Sequence, residues 1–195
     1  HGSTIAYNQI KGKKIGIVFL SGFGSDMQGK KALFIEKWAK DNDHSFLRFD
    51  YSGHGLSSGE LMHTCFSDWY NDTQYLIKKV TRGQQLLVGS SMGGWIMLML
   101  AKRIPNKINS MIGLAPAPDF PKLLIWDKMD NVQQARLVKE KKINITNKDG
   151  SNSEFSYKLI KDSFNNLFFK EPIQFKGAVY LFHGMEDYDV PYTIS

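Results

Sequence analysis

The most constraining feature of this chain is the pattern Gly-x-Ser-x-Gly at residues 89–93, in which Ser91 is the central serine. An apolar run at 85–88 precedes the pattern, as a short buried strand would, and a longer one at 95–101 follows it, as a buried helix would. Glycine is needed two positions either side of the serine where a strand turns at once into a helix, because side chains would collide there. The pattern therefore predicts an exposed attacking alcohol at Ser91. The alternative is an ordinary glycine–serine turn of an α/β protein.

Strand and helix patterns alternate along most of the chain. Strands are predicted at 14–20, 45–49, 85–88, 110–115 and 178–182, and helices at 28–40, at 66–80 and from the Ser91 turn to just before Pro105. Such alternation predicts an α/β fold with a mostly parallel sheet and helices on both faces.

Residues 119–175 break this alternation and are richer in Lys and Asn. They contain two helical patterns, at about 123–139 and 157–169, separated by a turn at 147–152. A helical cap inserted over the sheet is therefore expected. With 195 residues, the chain is expected to form one α/β domain over 1–195, with the cap at about 119–175.

The charge pattern argues against a nucleic-acid partner. Lys and Arg exceed Asp and Glu by 6, but much of the excess lies near residues 139–142, and no arginine-rich stripe accompanies it. A nucleic-acid surface requires clustered basic residues with elements that read grooves or stack on bases. A solvated helix face explains the excess better. The longest apolar run, 95–101, is far shorter than a membrane span, so no transmembrane segment is expected.

Cysteine content bears on the compartment. Cys65 is the single cysteine, so no intramolecular disulfide is possible, and a reducing, cytoplasmic location is expected. The chain begins with His1 rather than Met, so the lack of a signal peptide carries little weight.

A carboxylate suited to orienting a catalytic histidine follows the last predicted strand. The segment 183–191 reads His-Gly-x-x-Asp-x-x-Val-Pro and places Asp187 in a loop at the strand's carboxyl end, the edge where ligands bind in parallel sheets. We prefer Asp187 to its acidic neighbours Glu186 and Asp189. An acidic surface turn is the alternative reading, and Asp119 is a weaker candidate for the same role.

A second glycine-rich turn, residues 21–24, follows the first long strand. Backbone N–H groups of such a turn stabilise the oxyanion that forms when a serine attacks a carbonyl. We predict the N–H groups of Phe23 and Met92 as donors, the latter also at the N-terminus of a helix, whose dipole favours negative charge. A phosphate-binding loop is the alternative, but this turn lacks the Lys-Ser/Thr ending of a P-loop.

The histidine that should activate Ser91 is the missing component. All five histidines, at 1, 44, 54, 63 and 183, precede Asp187, whereas the order serine, acid, histidine requires one after it. We expect the base beyond Ser195, and a further helix and an edge strand after Pro191. His183 is read as a structural residue of its turn, and His54 stays open as an alternative base.

Four motifs in this order resemble the α/β-hydrolase fold. They are Ser21-Gly22-Phe23-Gly24, Asp50-x-x-Gly53-x-Gly55-x-Ser57-x-Gly59, Gly89-Ser90-Ser91-Met92-Gly93 and His183-Gly184-x-x-Asp187-x-x-Val190-Pro191. Segments 25–27, 49–53, 88–95 and 183–185 are more narrowly similar to the mitochondrial palmitoyl-protein thioesterases that also hydrolyse acyl glucuronides, and to their bacterial relatives. The likeness runs from about Ile15 to Pro191.

This resemblance implies a triad of Ser91, Asp187 and a histidine outside the 195 residues. It implies hydrolysis of carboxylic esters or thioesters, with a small acyl ester or an acylated protein as substrate and without a metal or cofactor. In the insertion, Phe120, Leu124 and Trp126 offer apolar surface for an acyl chain, unless they only pack the insertion on the sheet. A non-catalytic binding module and an acyltransferase are the competing functions.

Overall fold

The computed structural model describes residues 4–146, 150, 152–170 and 172–194. The strands are β1 (Tyr7–Ile10), β2 (Lys14–Leu20), β3 (His44–Phe49), β4 (Gln85–Ser90), β5 (Ile108–Leu114), β6 (Lys142–Thr146), β7 (Asn152–Ser156) and β8 (Val179–Phe182). The α-helices are α1 (Lys30–Asp41), α2 (Phe66–Lys79), α3 (Met92–Arg103), α4 (Asn131–Glu140) and α5 (Tyr157–Ser163). The predicted strands and main helices are recovered with end shifts of one or two residues.

Six strands form the central sheet in the order β1-β3-β2-β4-β5-β8. All neighbours are parallel except β1, which pairs antiparallel with β3 at the edge. The sequence did not predict β1, because Tyr7-Asn8-Gln9-Ile10 is short and half polar. Since β2, β3, β4, β5 and β8 run in one direction, the loops after them gather at one edge of the sheet.

Helices cover both faces of the sheet. One face packs Ile17, Phe19 and Val88 against Ala32 and Ala39 of α1. The opposite face packs against α2 and α3, whose fully buried Trp69 and Trp95 belong to the larger core. The predicted mostly parallel sheet with helices on both faces is confirmed.

The segment between β5 and β8 contains strands as well as helices. A π-helical turn (Pro121–Ile125) and a 3-10 turn (Trp126–Lys128) precede α4, which begins only at Asn131. Asp130 sets that start, because its carboxylate accepts the Gln133 N–H at 2.8 Å while the Gln133 side chain accepts the Asp130 N–H at 3.0 Å.

Strands β6 and β7 then form an antiparallel pair that the sequence did not predict. Each has five residues. The alternation of apolar and polar residues is short and lies in a stretch rich in Lys and Asn, which favours a loop or a solvated helix in a sequence-based prediction. The turn predicted at 147–152 falls largely on residues 147–149 and 151, which lie outside the described residues.

Candidate active site

Ser91 occupies a strained position between β4 and α3. Its backbone has φ 53° and ψ −118°, in the region that non-glycine residues rarely adopt. The Ser91 N–H donates to the Leu114 carbonyl at 3.1 Å, and the Ser91 carbonyl accepts N–H groups from Gly94 at 2.9 Å and Ala117 at 3.0 Å. These three hydrogen bonds hold the turn that presents the Ser91 side chain.

The glycines around Ser91 are required by close packing. A Cβ atom on Gly93 would collide with the Leu20 carbonyl at the end of β2, and one on Gly89 would lie 2.6 Å from the Gly93 carbonyl oxygen. The Gly-x-Ser-x-Gly spacing is therefore what lets α3 start directly above the sheet.

The glycine-rich turn after β2 lies against this serine. A Cβ atom built on Gly22 would lie 3.4 Å from the Cβ of Ser91. The Ser25 N–H donates to the Gly22 carbonyl at 3.2 Å, and Gly24 has φ +68°, which is typical of a type II turn with Phe23 and Gly24 at its centre. The structure thus brings together Ser91 and the turn that carries Phe23.

The two predicted oxyanion donors have no hydrogen-bond acceptor among the described residues. Within the described part of the chain, neither the Phe23 N–H nor the Met92 N–H donates a hydrogen bond, and the Ser91 hydroxyl has no partner either. Met92 is the first residue of α3, so its N–H lies at the positive end of the helix dipole.

Ser91 borders two cavities. One, of about 400 Å³, lies under the insertion. Its apolar lining comes from the turn, the insertion and the loop after β8, and includes Phe23, Phe120, Leu124, Ile145, Phe155 and Val190. The other, of about 550 Å³, lies toward α1, and its lining includes Ser21, Ser25, Asp26, Lys30 and Ser90.

Two of the three apolar residues predicted for substrate lie at the first cavity. Phe120 and Leu124 line it, whereas Trp126 does not: its ring meets Phe164 edge-on, with centroids 5.8 Å apart. Sequence reasoning missed Ile145 and Phe155, which come from β6 and β7. Their alternation with polar neighbours was the available signal.

Asp187 is held in an ordered turn after β8. Its Oδ1 accepts N–H groups from Asp189 at 3.1 Å and Val190 at 2.9 Å, and the next three residues, 188–190, line the cavity under the insertion. Nε2 of His183 lies 2.7 Å from the Val190 carbonyl and therefore donates to it, while Asp187 Oδ2 lies 3.7 Å from the same nitrogen. His183 thus braces the turn that carries Asp187.

Asp119, the alternative acid, is buried, and both of its carboxylate oxygens already accept hydrogen bonds. Its two carboxylate oxygens accept the N–H groups of Phe168 at 2.7 Å and Phe169 at 3.2 Å. Burial is the largest influence on its carboxyl group and raises its pKa, while these two hydrogen bonds lower it. Asp119 therefore fastens the end of the insertion to the end of β5.

Among the described residues, the structure brings no histidine to Ser91. Neither cavity at Ser91 is lined by one. His44 contacts the Ile15 carbonyl, and His63 lies at the surface 3.4 Å from Glu60. His54 is buried, and its Nε2 accepts the Gly24 N–H at 3.1 Å, so the nitrogen that would take a proton from a serine is already occupied. His1 lies outside the described residues.

No group of three or more His, Cys, Asp or Glu side chains in the described ranges could hold a metal ion. A separate search of the same residues finds no helix with the length and apolarity needed to cross a bilayer.

Residues 12–161 match the family described as serine aminopeptidase, S33. The rat protein named mitochondrial palmitoyl-protein thioesterase ABHD10 is 36% identical over 194 residues, which cover 98% of this chain and 65% of the rat protein. The human protein of that name is 35% identical over 195 residues, which cover 98% of this chain and 63% of the human protein. The chain thus spans slightly less than two thirds of the length of these curated relatives.

These names correct one expectation. The relatives are named as mitochondrial proteins, so the cytoplasmic location expected from the single cysteine is wrong. Cys65 carries no such information, because a lone cysteine lacks an intramolecular partner in every compartment.

Solved structures of similar sequence share this fold. Mouse alpha/beta hydrolase domain-containing protein 10 superposes with a TM-score of 0.90 at 35% identity, and a putative hydrolase from Agrobacterium vitis with a TM-score of 0.93 at 30% identity. Each match covers 98% of this chain and 77% of the other. The chain has the α/β-hydrolase fold and belongs to the serine aminopeptidase S33 family.

Proposed function

We propose that this protein hydrolyses carboxylic esters or thioesters through an acyl-enzyme intermediate on Ser91. The observation that carries the proposal is the strained Ser91 backbone, φ 53°, at a strand–helix turn that borders a cavity partly lined by aromatic and aliphatic side chains. Such strain persists only where surrounding contacts impose it, and it is concentrated at functional sites. The uncommitted N–H groups of Phe23 and Met92 beside this serine add independent support.

The reaction runs in two balanced halves. In the first, the Ser91 Oγ bonds to the substrate carbonyl carbon as its proton passes to a base, and the resulting oxyanion accepts the N–H groups of Phe23 and Met92. The carbon–oxygen or carbon–sulfur bond then breaks, and the departing alcohol or thiol takes that proton. In the second half water repeats the attack, releasing the acid and restoring the Ser91 hydroxyl.

The proposed base is a histidine other than those that the described residues place, and Asp187 orients it. Asp187 suits this role because two backbone N–H groups fix its Oδ1, which leaves Oδ2 to accept a hydrogen bond from the imidazole. The neighbouring Glu186 and Asp189 are exposed, without a comparable arrangement of backbone donors in the described residues.

The substrate carries an apolar acyl group. Phe120, Leu124 and Phe155 line the cavity under the insertion, which supports binding of the acyl chain there with the leaving group toward solvent. The matched relatives are named palmitoyl-protein thioesterases, which favours fatty acyl thioesters of proteins among the candidate substrates.

The test is hydrolysis of p-nitrophenyl octanoate and octanoyl thioester by the protein as its gene encodes it. Ser91→Ala should abolish both activities, whereas the matched control Ser90→Ala, at the adjacent buried serine, should retain them. Unchanged hydrolysis by Ser91→Ala would contradict the proposal. Lack of any hydrolysis by the unmodified protein would contradict it too, and would favour a non-catalytic binding module.

A further inference from the structure

His54 and the turn beside Ser91 are joined by a direct hydrogen bond. The Gly24 N–H donates to Nε2 of His54 at 3.1 Å. Because that nitrogen accepts, the proton of the neutral ring is on Nδ1, which lies 3.3 Å from the Ser52 carbonyl and donates to it. The two contacts together require the neutral Nδ1–H form of the imidazole.

Two other residues of the loop that carries His54 also form hydrogen bonds with the segment around Phe23. The Tyr51 hydroxyl donates to the Ser21 carbonyl at 3.3 Å, and Oδ1 of Asp50 accepts the Met27 N–H at 2.6 Å. Backbone groups on both sides of Phe23 therefore form hydrogen bonds with one loop, and the bond between Gly24 and His54 is the one next to Phe23.

Water cannot readily replace the imidazole in this position. His54 is 4% exposed, with the rings of Tyr51 and Trp69 edge-on to it at centroid distances of 5.6 and 5.4 Å, and Phe23 edge-on at 6.2 Å. Burial, the largest influence, lowers the pKa of His54 below its ordinary 6.5, which favours the neutral form that both hydrogen bonds need.

We propose that His54 is a positioning residue for catalysis: by accepting the Gly24 N–H, it fixes the Phe23–Gly24 peptide. Together with the bond from the Ser25 N–H to the Gly22 carbonyl, this holds the adjoining Gly22–Phe23 peptide, whose N–H is the proposed oxyanion donor. The inference rests on the proposed function of Ser91. An oxyanion donor stabilises charge that exists only along the reaction path, so its misalignment lowers kcat and leaves substrate binding largely unchanged.

A matched pair of amide variants isolates this hydrogen bond. In His54→Gln, the side-chain oxygen reaches the position of Nε2 and accepts the Gly24 N–H. In His54→Asn, the shorter amide reaches only the Nδ1 position, near the Ser52 carbonyl, and leaves Gly24 without an acceptor. The two variants are similarly polar, and neither titrates.

The readouts are kcat and KM for p-nitrophenyl octanoate, inhibition by an alkyl boronic acid that forms a tetrahedral adduct with serine, and amide hydrogen exchange over residues 21–27 without substrate. For His54→Asn we expect kcat to fall roughly 10- to 100-fold. Boronic acid binding should weaken by a similar factor, KM should change by less than about threefold, and exchange should speed up. His54→Gln should restore all four toward the unmodified protein.

Wild-type kcat and boronic acid affinity in a folded His54→Asn variant would overturn the proposal, as would a His54→Gln variant as impaired as His54→Asn. Should His54→Asn fail to fold, Tyr51→Phe removes the neighbouring tie to Ser21 and keeps the ring. It should lower kcat with KM unchanged, and a wild-type kcat there would count against the proposal.

Ser91→Ala separates this inference from the function on which it rests. Full hydrolysis by Ser91→Ala would refute the proposed function, and the exchange rate over residues 21–27 would still decide whether His54 holds the turn. Loss of hydrolysis in Ser91→Ala together with wild-type kcat in His54→Asn would refute only the positioning role.

Discussion

The ring of Phe23 stacks on the ring of Phe155, with centroids 5.1 Å apart and 23° between the planes. Phe23 belongs to the turn beside Ser91, and Phe155 belongs to β7 of the insertion. The insertion therefore closes directly over the residue whose N–H is the proposed oxyanion donor. An acyl chain bound under the insertion would lie against both rings.

Phe155→Ala is expected to weaken use of long acyl chains selectively. Removal of the ring takes away apolar surface against which the methylene groups of a long chain would pack, so KM for the octanoyl ester should rise roughly tenfold while the acetyl ester, which has few such groups, changes little. Steady-state kinetics on the two esters measure this difference. Phe169→Ala, at an exposed ring outside the cavity lining, is the control. Equal effects on both esters would argue against an acyl site beside Phe155.

Asp187→Asn is expected to lower kcat by roughly 10³- to 10⁴-fold, because an amide cannot hold the imidazole in the required tautomer. Asp189→Asn removes a nearby carboxylate whose side chain is exposed, and should retain most of the activity. The assay is p-nitrophenyl ester hydrolysis at saturating substrate. The reverse order of effects would assign the acid to Asp189.

Asp119→Ala is expected to destabilise the fold. The change leaves the N–H groups of Phe168 and Phe169 without their acceptor, at a cost of about 2 to 4 kcal/mol in the free energy of unfolding. Urea unfolding measures the difference. Asp127→Ala, which breaks a partly exposed ion pair with Lys122, should cost less than about 1 kcal/mol. Similar stability of both variants would contradict the structural role of Asp119.

Stability should depend on pH through His54. Above pH 6.5 the imidazole is neutral in folded and unfolded chains alike, so the folded state bears no protonation penalty. As pH falls below 6.5 the unfolded chain binds a proton first, and the free energy of unfolding decreases until the lowered folded-state pKa is reached.

His54→Gln removes this titration and should therefore show a shallower decline between about pH 7 and pH 5. Urea unfolding at a series of pH values gives the slopes. The two proteins differ only at residue 54, so the difference between their slopes reports the His54 imidazole. Identical slopes would mean that His54 is not held neutral by burial.

Local spacing explains why the strand–turn–helix unit at Ser91 could be predicted from sequence. Close contacts leave no room for side chains at Gly89 and Gly93, so glycine at these positions predicts a strand that turns directly into a helix. Strand β2 could be predicted equally well, because it is a near-continuous apolar run that ends at turn residues.

Features that depend on long-range contacts could not be predicted in the same way. Phe155 reaches the cavity only because the β6–β7 pair folds over Phe23, and Trp126 turns away from it toward Phe164. The contribution of His54 arises from a hydrogen bond to Gly24, thirty residues earlier in the chain. The spacing of neighbouring residues in the sequence does not predict a hydrogen bond between residues so far apart.

The central claim is that Ser91 is the nucleophile. Its most direct test is reaction of the protein, as its gene encodes it, with a fluorophosphonate probe, followed by intact mass measurement and peptide sequencing by mass spectrometry. The account predicts one adduct per chain, located on Ser91, lost in Ser91→Ala and kept in Ser90→Ala. An adduct on another residue, or undiminished labelling of Ser91→Ala, would contradict it.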